Sequence, residues 1–327
     1  METPAAIPEE RNGWLDRHAK SIKWIITLGC YGYLVYFLYN FEYYSEFAER
    51  FSSWSADELL WLLAAVALMP ANYGLEAFKW YLLASPLYPA LTYRKAFRGT
   101  MVGIAAGFFT PNRVGEPLGR VLDFPAGIRL RCATRSIAGS AAQGTATCLL
   151  GLAALQLWFS YGGARSSTLA WAGTAAALFV LLLLSLPRLA RRFAPRAKGK
   201  TLEVISTISD ISTTSWLTLL ALSCARYTVY SAQLYLMMRF FLVDITPVQG
   251  LIAIPLNYLL VSVLPSVAFS EVGVRATCGT ICLAPFTNNV LGGALAGSAV
   301  WLVNYVLSML IGTVLTRSRS KRRKSKP

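Results

Sequence analysis

Glu116 and Arg120, and again Glu271 and Arg275, stand four residues apart, each pair placed just after an apolar stretch that breaks at a proline. The first unit reads FFTPNRVGEPLGR over residues 108–120, and the second ends in SEVGVRAT over residues 270–277. A spacing of four stacks opposite charges on one helical face, so each pair partly neutralises itself. That matters between hydrophobic segments, where a lone charge at a helix centre costs about 2.5–3.5 kcal/mol. Pro117, one residue after Glu116, fits the first turn of a helix starting at the break, whose positive end favours an anion. With Asn112 and Arg113 at the break itself, these groups make phosphate the expected ligand. The plainer alternative is a salt bridge that only fixes the two tips. The repetition favours a site, and both roles are compatible.

Two further polar faces fall inside apolar runs. Asn72, Glu76 and Lys79 lie at i, i+4 and i+7 just after Pro70, so they share a face near a bend. Lys79 has the alternative of snorkelling to the interface. Arg226, Tyr230 and Gln233 repeat the spacing, with no acid within a turn of Arg226. Arg226 therefore calls for a carboxylate from another helix, with Glu76, Glu116 and Glu271 as candidates, or for a lipid phosphate. Asn257 and Asn304 read as interhelical hydrogen-bond formers.

These residues need a membrane scaffold to position them. The 327-residue chain is 55% hydrophobic and 14% charged, with mean hydropathy +0.47, which places it in the membrane class. Full spans are expected near residues 22–40, 58–84, 136–160, 168–187, 215–238 and 290–315, each close to the roughly 20 residues a helix needs to cross. The first apolar run is long enough to stay as a span, and no cleaved signal peptide is expected. Residues 99–130 and 248–284 are then left as two opposed re-entrant units. The fold class expected is an all-α polytopic membrane protein, with about six full spans plus two broken helical hairpins forming an inverted repeat. Residues 1–21 form an N-terminal tail, residues 22–315 one membrane domain, and residues 316–327 a basic tail.

The net charge of +15 is concentrated in flanks, at residues 94–98, 129–135, 188–200 and 317–326, while residues 42–58 carry five acids. That is the positive-inside pattern, so both termini are expected in the cytoplasm and nucleic-acid binding is not expected. The tail SRSKRRKSKP serves first as a topology determinant and also suits docking on anionic headgroups, at about 1 kcal/mol per basic residue. His18 is the sole histidine and sits in the N-terminal tail, which excludes histidine metal or triad chemistry within the spans. The six cysteines lie mostly in apolar segments and read as small buried hydrophobes, with Cys278 and Cys282 close enough to touch. No GxxxxGK[ST] phosphate loop occurs, and no cofactor is expected.

FFTPNRVGEPLGR, the stretch Asn72-GLEAFKW, Arg226-YTVYSAQ and SEVGVRAT together resemble the flippase-like membrane region of lysylphosphatidylglycerol synthases and the stand-alone YbhN-type proteins related to it, over nearly the whole chain. The resemblance implies a bacterial inner-membrane protein that moves a lipid between leaflets. The aminoacyltransferase of bifunctional relatives is a separate soluble domain, and only the basic tail follows the last span, so no enzyme is expected. Ser266-Val267-Ala268-Phe269 stands where the family usually has a run of glycines. The function expected is a translocase for an anionic phospholipid or a polyprenyl-linked lipid, held by Arg120, Arg226 and Arg275 while Glu116 and Glu271 pair the arginines when empty. The alternative is a membrane-embedded transferase, or its accessory subunit, acting on a polyprenyl-phosphate-linked substrate, with Glu116 as acid or base. Besides lipid and membrane, a homo-oligomeric partner is left open.

Overall fold

The computed structural model describes Ser45, Glu49, Ser52 and residues 54–108, 110, 113–161, 167–264 and 268–324, with the side chains of 160, 161, 167–170, 172, 268–272 and 316–324 excepted. The expected first span, residues 22–40, lies outside the described residues, as do Asn112 and the 265–267 break. Every element among the described residues is helical.

The first elements with described bounds are α1 (Ala56–Ala67) and α2 (Met69–Ala84). Ser55 and Glu58 form a capping box that starts α1. The pair is separated at Leu68 because Pro70, in the first turn of α2, has no N–H to continue the ladder. α3 (Tyr93–Gly107) and α4 (Gly115–Arg120) form the first hairpin. After a turn, α5 (Ala126–Tyr161), α6 (Ser167–Phe193), a 3₁₀ turn (Ala194–Arg196), α7 (Gly199–Ser209) and α8 (Thr213–Phe240) follow. α9 (Pro247–Val263) and α10 (Ala268–Leu283) make the second hairpin. α11 (Val290–Trp301) then runs through a π turn (Leu302–Val306) into α12 (Leu307–Lys324).

Four of these stretches are long and apolar enough to cross a membrane: residues Ala56–Ala84, Ala126–Phe159, Gly173–Arg196 and Val290–Leu315. They coincide with four of the expected spans. The fifth, residues 215–238, lies within the 28-residue α8, which has the length but carries the polar positions Ser223, Arg226, Tyr230 and Gln233. Ser223 and Gln233 are buried against other helices, which explains how a helix that polar is accommodated.

The first hairpin closes on glycine. Gly99, Gly103 and Gly107 line one face of α3, and Gly115 and Gly119 answer from α4. A Cβ on Gly103 would sit 2.6 Å from Cγ of Arg120, and one on Gly119 would sit 2.8 Å from Cα of Gly103. Small residues at such intervals let backbones approach closely in membranes. Thr110 organises the break: its hydroxyl donates to the Gly107 carbonyl and accepts from the Gly115 N–H at 2.8 Å. The second hairpin is built differently, with a 16-residue return arm against the six residues of α4. It leans on α5, where Cβ of Leu259 stands 2.7 Å from the Cβ position of Gly151, and on α11 through Leu283 and Gly293.

Basic residues donate to backbone carbonyls at several points. Arg135 donates to the Leu83 carbonyl at the end of α2 at 3.0 Å, and Arg129 donates to the Phe124 carbonyl in the turn before α5 at 2.8 Å. Arg98 donates to the Leu315 carbonyl of α12. These side chains satisfy carbonyls where water is scarce.

The glycine seam gives a direct test. Gly119→Ala is expected to cost about 1–3 kcal/mol through overpacking, whereas Gly127→Ala, which faces open space in the first turn of α5, is expected to be neutral or to gain up to about 1 kcal/mol. Thermal unfolding in detergent compares them; equal melting of Gly119→Ala and wild type would refute the close seam.

Candidate functional site

The pitch of α2 puts Asn72, Glu76 and Lys79 on one inward face, 2%, 6% and 1% exposed. Three cations converge on Glu76. Nζ of Lys79 lies 3.0 Å from Oε2, NH1 of Arg226 2.9 Å from the same oxygen, and NH2 of Arg120 2.6 Å from Oε1. Arg120 also pairs with Glu116 along α4. A carboxylate at this depth is tolerated because cations and hydrogen bonds occupy both of its oxygens.

The cations are held in turn by neutral groups. Lys79 donates to Oε1 of Gln143 at 2.9 Å and to Oγ of Ser223 at 3.2 Å. Arg226 donates from Nε to Oδ1 of Asn72 at 2.8 Å. Asn72 belongs to an amide ring: its Nδ2 donates to Oδ1 of Asn304 at 3.3 Å, and Nδ2 of Asn304 donates to Oε1 of Gln233 at 3.0 Å. Gln233 donates onward to the Ala65 carbonyl in α1 at 3.0 Å. This network joins α1, α2, α4, α5, α8 and the π turn.

Above it lies a cavity of about 760 Å³. Asn72, Glu76, Arg226 and Tyr230 form its floor; Arg113, Glu116 and Pro117 come from the first hairpin, and Ser262, Leu264 and Arg275 from the second. α5 contributes Ser140, Gln143 and Thr147, and the π turn contributes Asn304 and Tyr305. The Tyr305 ring is stacked by Arg113 at 3.7 Å and approached by Arg275 at 5.3 Å, one guanidinium from each hairpin. The Tyr73 hydroxyl donates to the Asn304 carbonyl inside the turn, giving it a partner where the helical ladder is interrupted. Arg113 holds φ of 59°, a left-handed backbone that costs a non-glycine residue of order 1–3 kcal/mol.

Most of the expected site residues therefore meet. Asn72, Glu76, Lys79, Glu116, Arg120, Arg226 and Gln233 form one network, while Arg113, Tyr230 and Arg275 stand on the cavity wall. Asn112 and the Glu271 side chain lie outside the described residues. Lys79 does not snorkel; it is 1% exposed, because Glu76, Gln143 and Ser223 together satisfy its ammonium internally. Among the candidate carboxylates whose side chains are described, Glu76 is the one paired with Arg226. Asn304 does make the interhelical bonds expected of it. Gln143, Ser223 and Tyr305 were missed. Ser140, Gln143 and Thr147 stand at i, i+3 and i+7 along α5, a signal that could have found its cavity wall.

Residues 24–316 match the family model described as Lysylphosphatidylglycerol synthase TM region. The chain belongs to this family. No curated protein and no solved structure matches it. The match to the lysylphosphatidylglycerol synthase TM region spans both hairpins and every residue of the Glu76 network, so the charged cluster lies within the family's defining segment.

Glu76 and Glu116 should differ sharply on substitution. Glu76→Gln leaves three cations without their shared carboxylate and is expected to cost about 3–5 kcal/mol, whereas Glu116→Gln, which removes a pair made by Arg120 alone, should cost clearly less. Unfolding in detergent gives the order; equal or reversed losses would remove Glu76 from the centre of the network.

Proposed function

We propose that this lipid-related membrane protein is a non-enzymatic translocase, moving an anionic phospholipid or polyprenyl-linked lipid between leaflets. The headgroup occupies the cavity between the hairpins while the tails stay in hydrocarbon. One observation carries this reading: the charged cavity has an apolar, exposed rim. Val114, Ile137 and Leu264 line it and are 69%, 59% and 46% exposed, one each from the first break, α5 and the second break. A site filled from water has no need of such a rim, whereas an amphiphile matches both regions.

Mechanistically, the arginines exchange a carboxylate for a phosphate. Arg226 lines the cavity and rests on Glu76; an arriving phosphate offers it an equivalent acceptor, so the arginine stays paired as access alternates. The re-entrant hairpins would supply opposed gates, with both termini on the cytoplasmic face of the inner membrane.

Leaflet exchange of fluorescent phosphatidylglycerol in reconstituted liposomes tests the proposal. Exchange above empty liposomes is expected for the wild type, with loss in Arg226→Ala and Glu271→Gln at equal incorporation. Full activity in both variants would sink the site assignment, and recovery of chemically altered lipid would favour a transferase with Glu116 as acid or base.

A further inference from the structure

We propose that the α5 side of the cavity is a neutral subsite for a hydroxyl-rich headgroup, a sugar or cyclic polyol carried beyond the lipid phosphate. The inference rests on the translocase reading for its lipid source and names the class of headgroup that the cavity takes.

Ser140, Gly144 and Thr147 stand at i, i+4 and i+7, so they share one face of α5, and all three line the cavity. Tyr230 lines it from α8, and Tyr258 and Ser262 line it from α9. None of these residues is charged. A hydroxyl has one proton to donate and two lone pairs with which to accept. Here backbone carbonyls take up the protons. Ser140 donates to Ser136 at 3.4 Å, Thr147 to Gln143 at 3.1 Å, Tyr258 to Tyr230 at 3.2 Å and Ser262 to Leu259 at 2.7 Å. The capacity this wall keeps is therefore that of acceptor oxygens, and the matching group on a ligand is a donor, either a hydroxyl or an ammonium.

Charge decides between those two. Lys79, Arg113, Arg120, Arg226 and Arg275 stand around the cavity against Glu76 and Glu116, and counting Glu271 as a third carboxylate still leaves the cations in excess. An ammonium would add to that excess, whereas a hydroxyl donates without bringing charge. Space agrees. The cavity of about 760 Å³ falls within the roughly 300–1,000 Å³ of sites that enclose a drug-sized molecule, so a phosphate by itself leaves most of it unfilled. Gly144 adds to the room, since a Cβ built on it meets nothing within 4 Å. Glycine is a poor choice inside a helix, and no neighbouring atom requires it there. Tyr230 and Tyr258 meet edge to face with ring centres 4.8 Å apart, and the negative face of such a ring suits the C–H bonds of a sugar or cyclitol.

The test is calorimetric titration of the full-length protein in detergent with four probes: phosphatidylinositol, phosphatidylmethanol, phosphatidylethanolamine and soluble inositol 1-phosphate. Phosphatidylmethanol keeps the phosphodiester charge and has no headgroup hydroxyl. Wild type is expected to bind phosphatidylinositol roughly tenfold or more tightly than phosphatidylmethanol, the scale of about two hydrogen bonds. Gly144→Leu fills the subsite and should abolish that preference at a melting temperature equal to or above that of wild type. Ser140→Ala combined with Thr147→Val removes two acceptors and should cut the preference by about threefold or more. Should the double variant fail to fold, Gly144→Leu and the smaller Gly144→Ala, whose Cβ enters open space, carry the test. Equal binding of phosphatidylinositol and phosphatidylmethanol by wild type overturns the subsite, as does tighter binding of phosphatidylethanolamine than of phosphatidylinositol. Full preference retained in folded Gly144→Leu also overturns it. Binding of inositol 1-phosphate with the same Gly144 dependence, in place of phosphatidylinositol, supports the subsite and makes a soluble phosphorylated polyol its occupant. The expected preference and losses without leaflet exchange leave the subsite standing and remove the translocase.

Discussion

A single carboxylate, Glu76, sets the terms for the rest of the molecule. Buried among helices that are mostly apolar, it is stable only while Lys79, Arg120 and Arg226 reach it, and it in turn neutralises Lys79 and Arg226 and shares Arg120 with Glu116. The requirement propagates outward. α8 must bring Arg226 across to α2, α4 must end with Arg120 at the same point, and α5 must supply Gln143 to take up the donor capacity of Lys79 and Arg226. α2, α5 and α8, which also share an apolar cluster through Trp80, Cys132 and Trp216, are thus registered by a common charge as well.

Arg120 can reach that point only because α4 lies almost against α3. The glycines on both sides remove the side chains that would hold the two backbones apart, so a six-residue return arm packs tightly enough to present its last residue to Glu76. Hairpin geometry and charge network are one arrangement seen at two scales. The second hairpin, longer and packed on α5 and α11, brings Arg275 to the opposite wall. The cavity between them owes its polarity to the network and its opening to the apolar breaks.

Much of this was legible in the chain. A period of three to four residues identified the polar face of α2 and that of α8, and the Glu–Arg spacing marked both hairpins. What stayed hidden depends on contacts across the sequence. The pairing of Arg226 with Glu76 joins residues 150 positions apart, and no local pattern distinguishes that carboxylate from Glu116 or Glu271. The Tyr305 stack depends on a π turn, for which apolar residues 302–306 carry no composition signal beyond Asn304. The glycine seam was readable as Gly99, Gly103 and Gly107 at intervals of four, a pattern outweighed by the neighbouring proline and charges.

Arg98, Arg129 and Arg135 belong to the basic flanks of the sequence, yet each also donates to a backbone carbonyl, at Leu315, Phe124 and Leu83. The charge pattern of the sequence and the fastening of the folded backbone are therefore carried by the same side chains. Moving one of these charges along the chain would leave its carbonyl without that donor.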